Sequence, residues 1–138
     1  MDKKPSSVYV LDSYALLAHF QGEPSAVKVR DLLESALTSS AISLYMSIVN
    51  VGEIYYLAAK KRGLDIADEI LVDLEQLPLT ICQATDDRVM AAARAKATYP
   101  ISYADAFAVA LAEETGGRIV TGDPEFEAIE PQIPVVWL

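Results

Sequence analysis

Short runs rich in β-branched and aromatic residues alternate along this chain with longer helix-forming segments, and no other feature constrains the fold as much. Val8-Tyr9-Val10-Leu11 is stopped by Asp12-Ser13, which reads as a buried strand delivering its end to a helix start. Ala41 to Met46, Leu79 to Cys82, Arg118 to Thr121 and Val135 to Trp137 have the same character. Between them the pattern predicts helices over Ser13 to Phe20 and Glu23 to Leu37, split by Gly22 and Pro24. Ser47 opens another that runs to Gly63, with Lys60-Lys61-Arg62 in its last turn and the glycine just past its end. Further helices are predicted over Asp65 to Leu77, closed by Pro78, from Thr85 through Val89 to Ala97, and from Ser102 to Glu114, ended by Gly116-Gly117. Gly122-Asp123-Pro124 starts a short turn or helix. Strands alternating with helices imply an α/β fold with a mostly parallel central sheet of about five strands and helices on both faces. With no repeat, linker or low-complexity stretch, residues 1–138 are expected to form one domain.

At 138 residues the chain is long enough to bury one full core unaided. Its lone cysteine, Cys82, excludes an internal disulfide and any Cys-rich zinc site; its lone histidine, His19, excludes a two-histidine mechanism. The polar start with Lys3 and Lys4 lacks a signal peptide's apolar region, and the longest uncharged stretch, Ser35 to Gly52, is too rich in Ser, Thr and Asn to span a bilayer. A cytoplasmic protein without a membrane partner is expected. Residues 1–63 carry seven basic and six acidic side chains, residues 64–138 four and fourteen, so +1 − 10 gives the net −9. That balance argues against a general nucleic-acid coat, which needs net positive surface. Phosphate chemistry on such a chain must rest on local patches or on metal ions.

Carboxylates supply the functional signal. In parallel sheets ligands sit beyond the carboxyl ends of the strands, and Asp12 and Asp123 follow strands one and four. Taken singly, each acid has an ordinary role. Asp12 is placed as a helix N-cap, Asp123 as a cap followed by proline, and Asp105 at capping-box spacing from Ser102. Glu53 is less ordinary, because Val49, Asn50, Tyr56 and Leu57 put it in a mainly apolar stripe expected to face the sheet, where a lone carboxylate is costly. Asp105 shares its side with Ile101, Ala108 and Val109. Together the four are placed to converge on one sheet edge. Clustered carboxylates repel, so a cluster implies a cation, and all-oxygen ligands suit Mg²⁺ or Mn²⁺. Such a site activates water and stabilises a leaving oxygen in phosphoryl chemistry without histidine.

Val8 to Phe20 (VYVLDSYALLAHF), Asn50 to Tyr56 (NVGEIYY), Ile101 to Ala112 (ISYADAFAVALA) and Val120 to Phe126 (VTGDPEF) resemble, in order and spacing, the motifs of PIN-domain ribonucleases, specifically VapC-type toxins of prokaryotic toxin-antitoxin modules. The resemblance spans nearly the whole chain. It implies a PIN fold, Mg²⁺- or Mn²⁺-dependent endoribonuclease activity on RNA, a homodimer, and inhibition by a cognate antitoxin. Asp12, Glu53, Asp105 and Asp123 match the family's acidic positions. On this reading Asp12 and Asp105 chiefly hold the metal while Glu53 and Asp123 complete the site and orient water. Asn50 and Thr121 match supporting polar positions. Tyr14 stands where many members carry a small hydroxyl residue, so Ser13 is expected to take that supporting role.

Two other classes compete. A noncatalytic PIN-like interaction module keeps the fold but has no use for all four acids. An aspartyl-phosphate domain needs a second acid near its nucleophile and a late lysine, yet Ser13-Tyr14-Ala15 follows Asp12 and no lysine follows Lys96. Gly117 to Gly122 has phosphate-loop spacing, but Asp123 replaces the required lysine. His19 is expected to be partly exposed, Lys60-Lys61-Arg62 a helix end, Arg94 and Lys96 a solvated face, and Trp137 and Cys82 core.

Overall fold

The computed structural model describes residues 7–138; the polar segment with Lys3 and Lys4 lies outside the described residues. In chain order the elements are β1 (Ser7–Leu11), α1 (Ser13–Phe20), a short 3-10 turn (Pro24–Ala26), α2 (Val27–Thr38), β2 (Ile42–Ser47), α3 (Ile48–Arg62) and α4 (Leu64–Glu75). Then follow β3 (Thr80–Cys82), α5 (Asp86–Thr98), α6 (Tyr103–Thr115), β4 (Arg118–Thr121), a second 3-10 segment (Pro124–Ile129) and β5 (Val135–Trp137). The helix expected from Glu23 is thus split, because Pro24 opens a separate 3-10 turn before α2 begins at Val27. No helix among the described residues is long and apolar enough to cross a membrane.

All five strands pair in parallel, in the order β3-β2-β1-β4-β5. The chain builds outward from β1 through β2 to β3, then crosses back to β4 and β5, so the winding direction reverses between β1 and β4. Crossovers leaving those two strands diverge to opposite faces, and a crevice opens at their carboxyl ends. Register places Leu11 beside Val120, and the Asp12 N–H donates to Val120 O at 3.4 Å, so the residues after each strand emerge side by side.

Side chains alternate between the two faces, as the pleat requires. Val10 and Ile119 point into a core with α5 and α6, whereas Leu11, Val120, Leu44 and Met46 pack against α1, α2, α3 and α4. Helix α6 is buried all round for most of its length: every residue from Asp105 to Ala112 is buried, since α3, α5 and the strands β1, β2 and β4 all pack on it. Its N-terminus, and the acid carried there, is therefore driven into the crevice. Phe126, fully buried, anchors the 3-10 segment after β4 in the same core.

Cys82 is buried as expected, and His19 is partly exposed. Trp137 is at the margin of the core and not inside it: it packs against the α5–α6 side while half-buried on the edge strand β5, its indole N–H donating to Glu130 at 3.3 Å. An edge strand has no neighbour on its outer side to cover a large ring.

Candidate active site

Two strand ends and two helix starts bring the carboxylates together. Asp12 caps α1 from extended backbone, its Oδ1 accepting the Ala15 N–H at 2.9 Å. Its Oδ2 accepts the Thr121 hydroxyl at 2.5 Å, and Thr121 Oγ1 in turn accepts the Asp123 N–H at 2.9 Å. One buried threonine thus ties the ends of β1 and β4. Asp123 accepts the Glu125 N–H at 2.9 Å, which closes the first turn of the 3-10 segment. At the start of α6 the Ser102 hydroxyl accepts the Asp105 N–H at 3.1 Å, one half of a capping box. The other half is taken over: the Ser102 N–H donates to Glu125 Oε1 at 3.2 Å, leaving the Asp105 carboxylate free to face its acidic neighbours.

Carboxylate oxygens of Asp105, Asp123 and Glu125 lie within 4.8 Å of one another. Glu125 was not singled out from the sequence. The available signal was its spacing, two residues after Asp123 across Pro124, because a proline-started turn brings such a pair to one side. The geometric trio omits Asp12, which stands beside it through Thr121. Asp105 feels the charge of Asp12, and both feel that of Asp123.

Glu53 differs from expectation. It is half-buried rather than core, since α3 buries the face of Asn50, Val51, Ile54 and Ala58 and leaves Tyr56 and Leu57 exposed. The apolar stripe around Glu53 does not face the sheet, so its burial carries no argument for a special role. Its position does: Ser13 Oγ donates to Glu53 Oε1, joining α1 to α3 next to Asp12. Asn50 is fully buried, and its Nδ2 donates to Ala104 O at 3.2 Å, beside Asp105. Its Oδ1 is buried with no partner among the described residues.

Electrostatics mark the same place. Burial, together with the negative charges of Asp123 and Glu53, pushes Asp12 up to about 7 despite the hydrogen bonds from Thr121 and Ala15. Asp105 is raised too, by burial first, then by proton sharing with Glu125 and by the charges of Asp123 and Asp12. The ion pairs among the described residues, Arg30–Asp31 and Arg88–Glu114, involve none of these acids. Buried carboxylates without a basic partner are unfavourable on their own. A hard divalent cation removes the conflict, and its ligands are oxygens of this kind. The unpartnered amide oxygen of Asn50 is a further hard donor at the same edge. This donor set fits Mg²⁺ or Mn²⁺ and does not suit a soft, thiolate-seeking metal.

The larger surface clefts lie elsewhere. One of about 550 Å³, lined by Arg88, Arg94, Tyr99 and Glu114 among others, and one of about 400 Å³ between Leu17, Phe20, Leu57 and Lys60 to Arg62, contain none of the clustered acids. A site that grips a phosphodiester through metal-bound oxygens need not be a deep apolar pocket.

Residues 9–130 match the PIN domain family, and the chain belongs to it. A comparison with curated proteins returns no match. Among solved structures the chain is similar to VapC20 of Mycobacterium tuberculosis, described as a Sarcin-Ricin loop cleaving toxin, with a TM-score of 0.72 and 18% identity over 96% of this chain and 100% of that one. It is also similar to chains in DNA-bound VapBC from Salmonella typhimurium (TM-score 0.73, 18% identity, 94% and 97% covered) and in VapBC2 from Rickettsia felis bound to a fragment of promoter DNA (0.71, 16%, 94% and 97%). At these identities the likeness establishes a shared fold. The α/β architecture expected from the sequence is thus the PIN fold, with a sheet wholly rather than mostly parallel.

Proposed function

We propose that this chain is a Mg²⁺- or Mn²⁺-dependent endoribonuclease and the toxin half of a VapBC-type pair. The observation that carries the reading is the convergence of Asp12, Asp105, Asp123 and Glu125 at the β1–β4 crevice, with Glu53 tied to the same corner and, among the described residues, no salt bridge to any of them. Asp12 and Asp105 are the chief metal ligands, with Asp123 and Glu125 beside them. A bound divalent ion supplies Lewis acidity toward a phosphate oxygen and lowers the pKa of water. The chain's own residues do the rest. Thr121 fixes the Asp12 carboxylate through its hydroxyl, Asn50 and Ser102 hold the start of α6, and Ser13 orients Glu53. Glu53, half-exposed at the corner, accepts a proton from the attacking water. No histidine takes part: His19 lies at the far end of α1 from Asp12.

The whole chain, residues 1–138, is read as one such domain acting in the cytoplasm. Its VapBC-type neighbours support a cognate antitoxin as partner. Exposed Ile48, Met90 and Tyr103 supply apolar surface for a homodimer. The noncatalytic alternative gives no reason for several acids to crowd at a common edge. Cleavage of RNA by the purified, partner-free protein tests the proposal: it is expected with Mg²⁺ or Mn²⁺ and stops in EDTA. Cleavage unchanged by excess EDTA, with contaminating nuclease excluded, overturns it.

A further inference from the structure

We propose that Tyr14 is the surface on which a nucleobase next to the cleaved phosphate stacks, and so positions the RNA over the carboxylates. The inference rests on the nuclease reading and goes beyond it, because Tyr14 is no part of the metal site. Two facts fix the ring in place. Tyr14 follows Asp12 by two residues in the first turn of α1, and its ring lies directly on the backbone of Gly122, the residue before Asp123. A Cβ at Gly122 would overlap the ring's Cε1 and fall 2.8 Å from Cζ. Only glycine lets the phenol approach the chain this closely. The Cδ1–Cε1–Cζ edge of the ring is therefore seated on the loop that carries Asp123, while the residue stays 41% exposed.

Other exposed tyrosines flank the acids, but their rings are engaged elsewhere. Tyr103 meets Phe107 edge-to-face at 5.2 Å between centroids, and Tyr56 lies under Lys60 at 5.8 Å. Tyr14 alone of these three rests on the segment that bears a site acid, and it keeps 41% of its surface exposed. Charge gives the reason a stacking surface is needed. The chain has a net charge of −9 and its site is a cluster of acids, so diffuse attraction for phosphates is weak. Stacking on an aromatic ring does not depend on net charge and accepts any base with a free face. A rigidly seated ring also loses little conformational freedom on binding.

Tyr14→Phe, Tyr14→Leu and Gly122→Ala test this, the last because its methyl displaces the ring. The probe is a short single-stranded RNA carrying the fluorescent base aminopurine, studied with Ca²⁺ in place of Mg²⁺, and stacking is read as quenching. Steady-state cleavage with Mn²⁺ and the Mn²⁺-induced rise in melting temperature are measured alongside. Parent and Tyr14→Phe are expected to quench; Tyr14→Leu and Gly122→Ala are expected to lose quenching and raise KM about tenfold or more, with kcat and the Mn²⁺ response unchanged. A parent that fails to quench overturns the proposal. So does a Tyr14→Leu variant that quenches normally, a Tyr14→Phe variant as impaired as Tyr14→Leu, or loss of the Mn²⁺ response in Tyr14→Leu. Tyr14-dependent quenching by a parent that cleaves no RNA leaves the stacking surface standing and removes the nuclease reading.

Discussion

Replacing Asp12 with Asn is expected to stabilise the metal-free protein at alkaline pH and to destabilise it slightly in acid. Asp12 is 1% exposed, and its pKa stands at about 7 against an ordinary 3.8. The folded state therefore holds a proton that the unfolded chain releases between about pH 4 and 7, and stability falls across that window as pH rises. At roughly 1.4 kcal/mol per pH unit the full penalty above pH 7 is about 4 kcal/mol. Asparagine carries no charge to bury. It keeps an acceptor for the Ala15 N–H but presents an amide to the Thr121 hydroxyl, which loses a hydrogen bond worth about 1 kcal/mol. The net gain is then about 3 kcal/mol near pH 9, or roughly 6 to 12 °C in Tm for a chain of this size. Near pH 3, where both states largely keep the proton, only the loss of about 1 kcal/mol remains. Melting curves of parent and variant in EDTA at the two pH values give the comparison directly. A variant less stable than the parent by the same amount at both would show that Asp12 is a helix cap and nothing more, and would refute the argument from buried charge.

Glu125→Gln is expected to weaken the Mn²⁺-induced rise in melting temperature while leaving metal-free stability unchanged or higher, read from the same curves; an unaltered Mn²⁺ response removes Glu125 from the ligand set. Thr121→Val, nearly the same shape, strands the Asp123 N–H and frees the Asp12 carboxylate, and should cost about 1 to 3 kcal/mol by denaturant titration as well as slowing cleavage. Phe126→Ala empties a fully buried site and is expected to cost about 3 to 5 kcal/mol, with the Mn²⁺ response reduced because Asp123 and Glu125 lose their anchor.

Much of this architecture is legible in local sequence, for local reasons. Val8 to Leu11 and Arg118 to Thr121 are read as strands because β-branched runs end at turn residues, and Asp12, Ser47, Thr85 and Ser102 announce helix starts that the structure confirms. Strand order is different: that β1 lies between β2 and β4 depends on which helix covers which face, and no short window of sequence states it. The same limit explains Glu53, whose apolar neighbours predict burial although α3 turns Tyr56 and Leu57 to solvent. Glu125 is not legible locally because its carboxylate accepts from the Ser102 N–H, 23 positions away in the chain. Asp12, Asp105 and Asp123 were readable because each stands at an element boundary, where residue type and chain geometry are most tightly linked.

The central claim is that these acids are one cation site. A crystal grown with Mn²⁺ and examined by anomalous scattering tests it most directly. Anomalous density is expected in the crevice between β1 and β4, within coordination distance of Asp12 and Asp105 and bordered by Asp123 and Glu125. A well-ordered crevice with no anomalous peak at millimolar Mn²⁺, its acids protonated or bridged by water alone, would contradict the account.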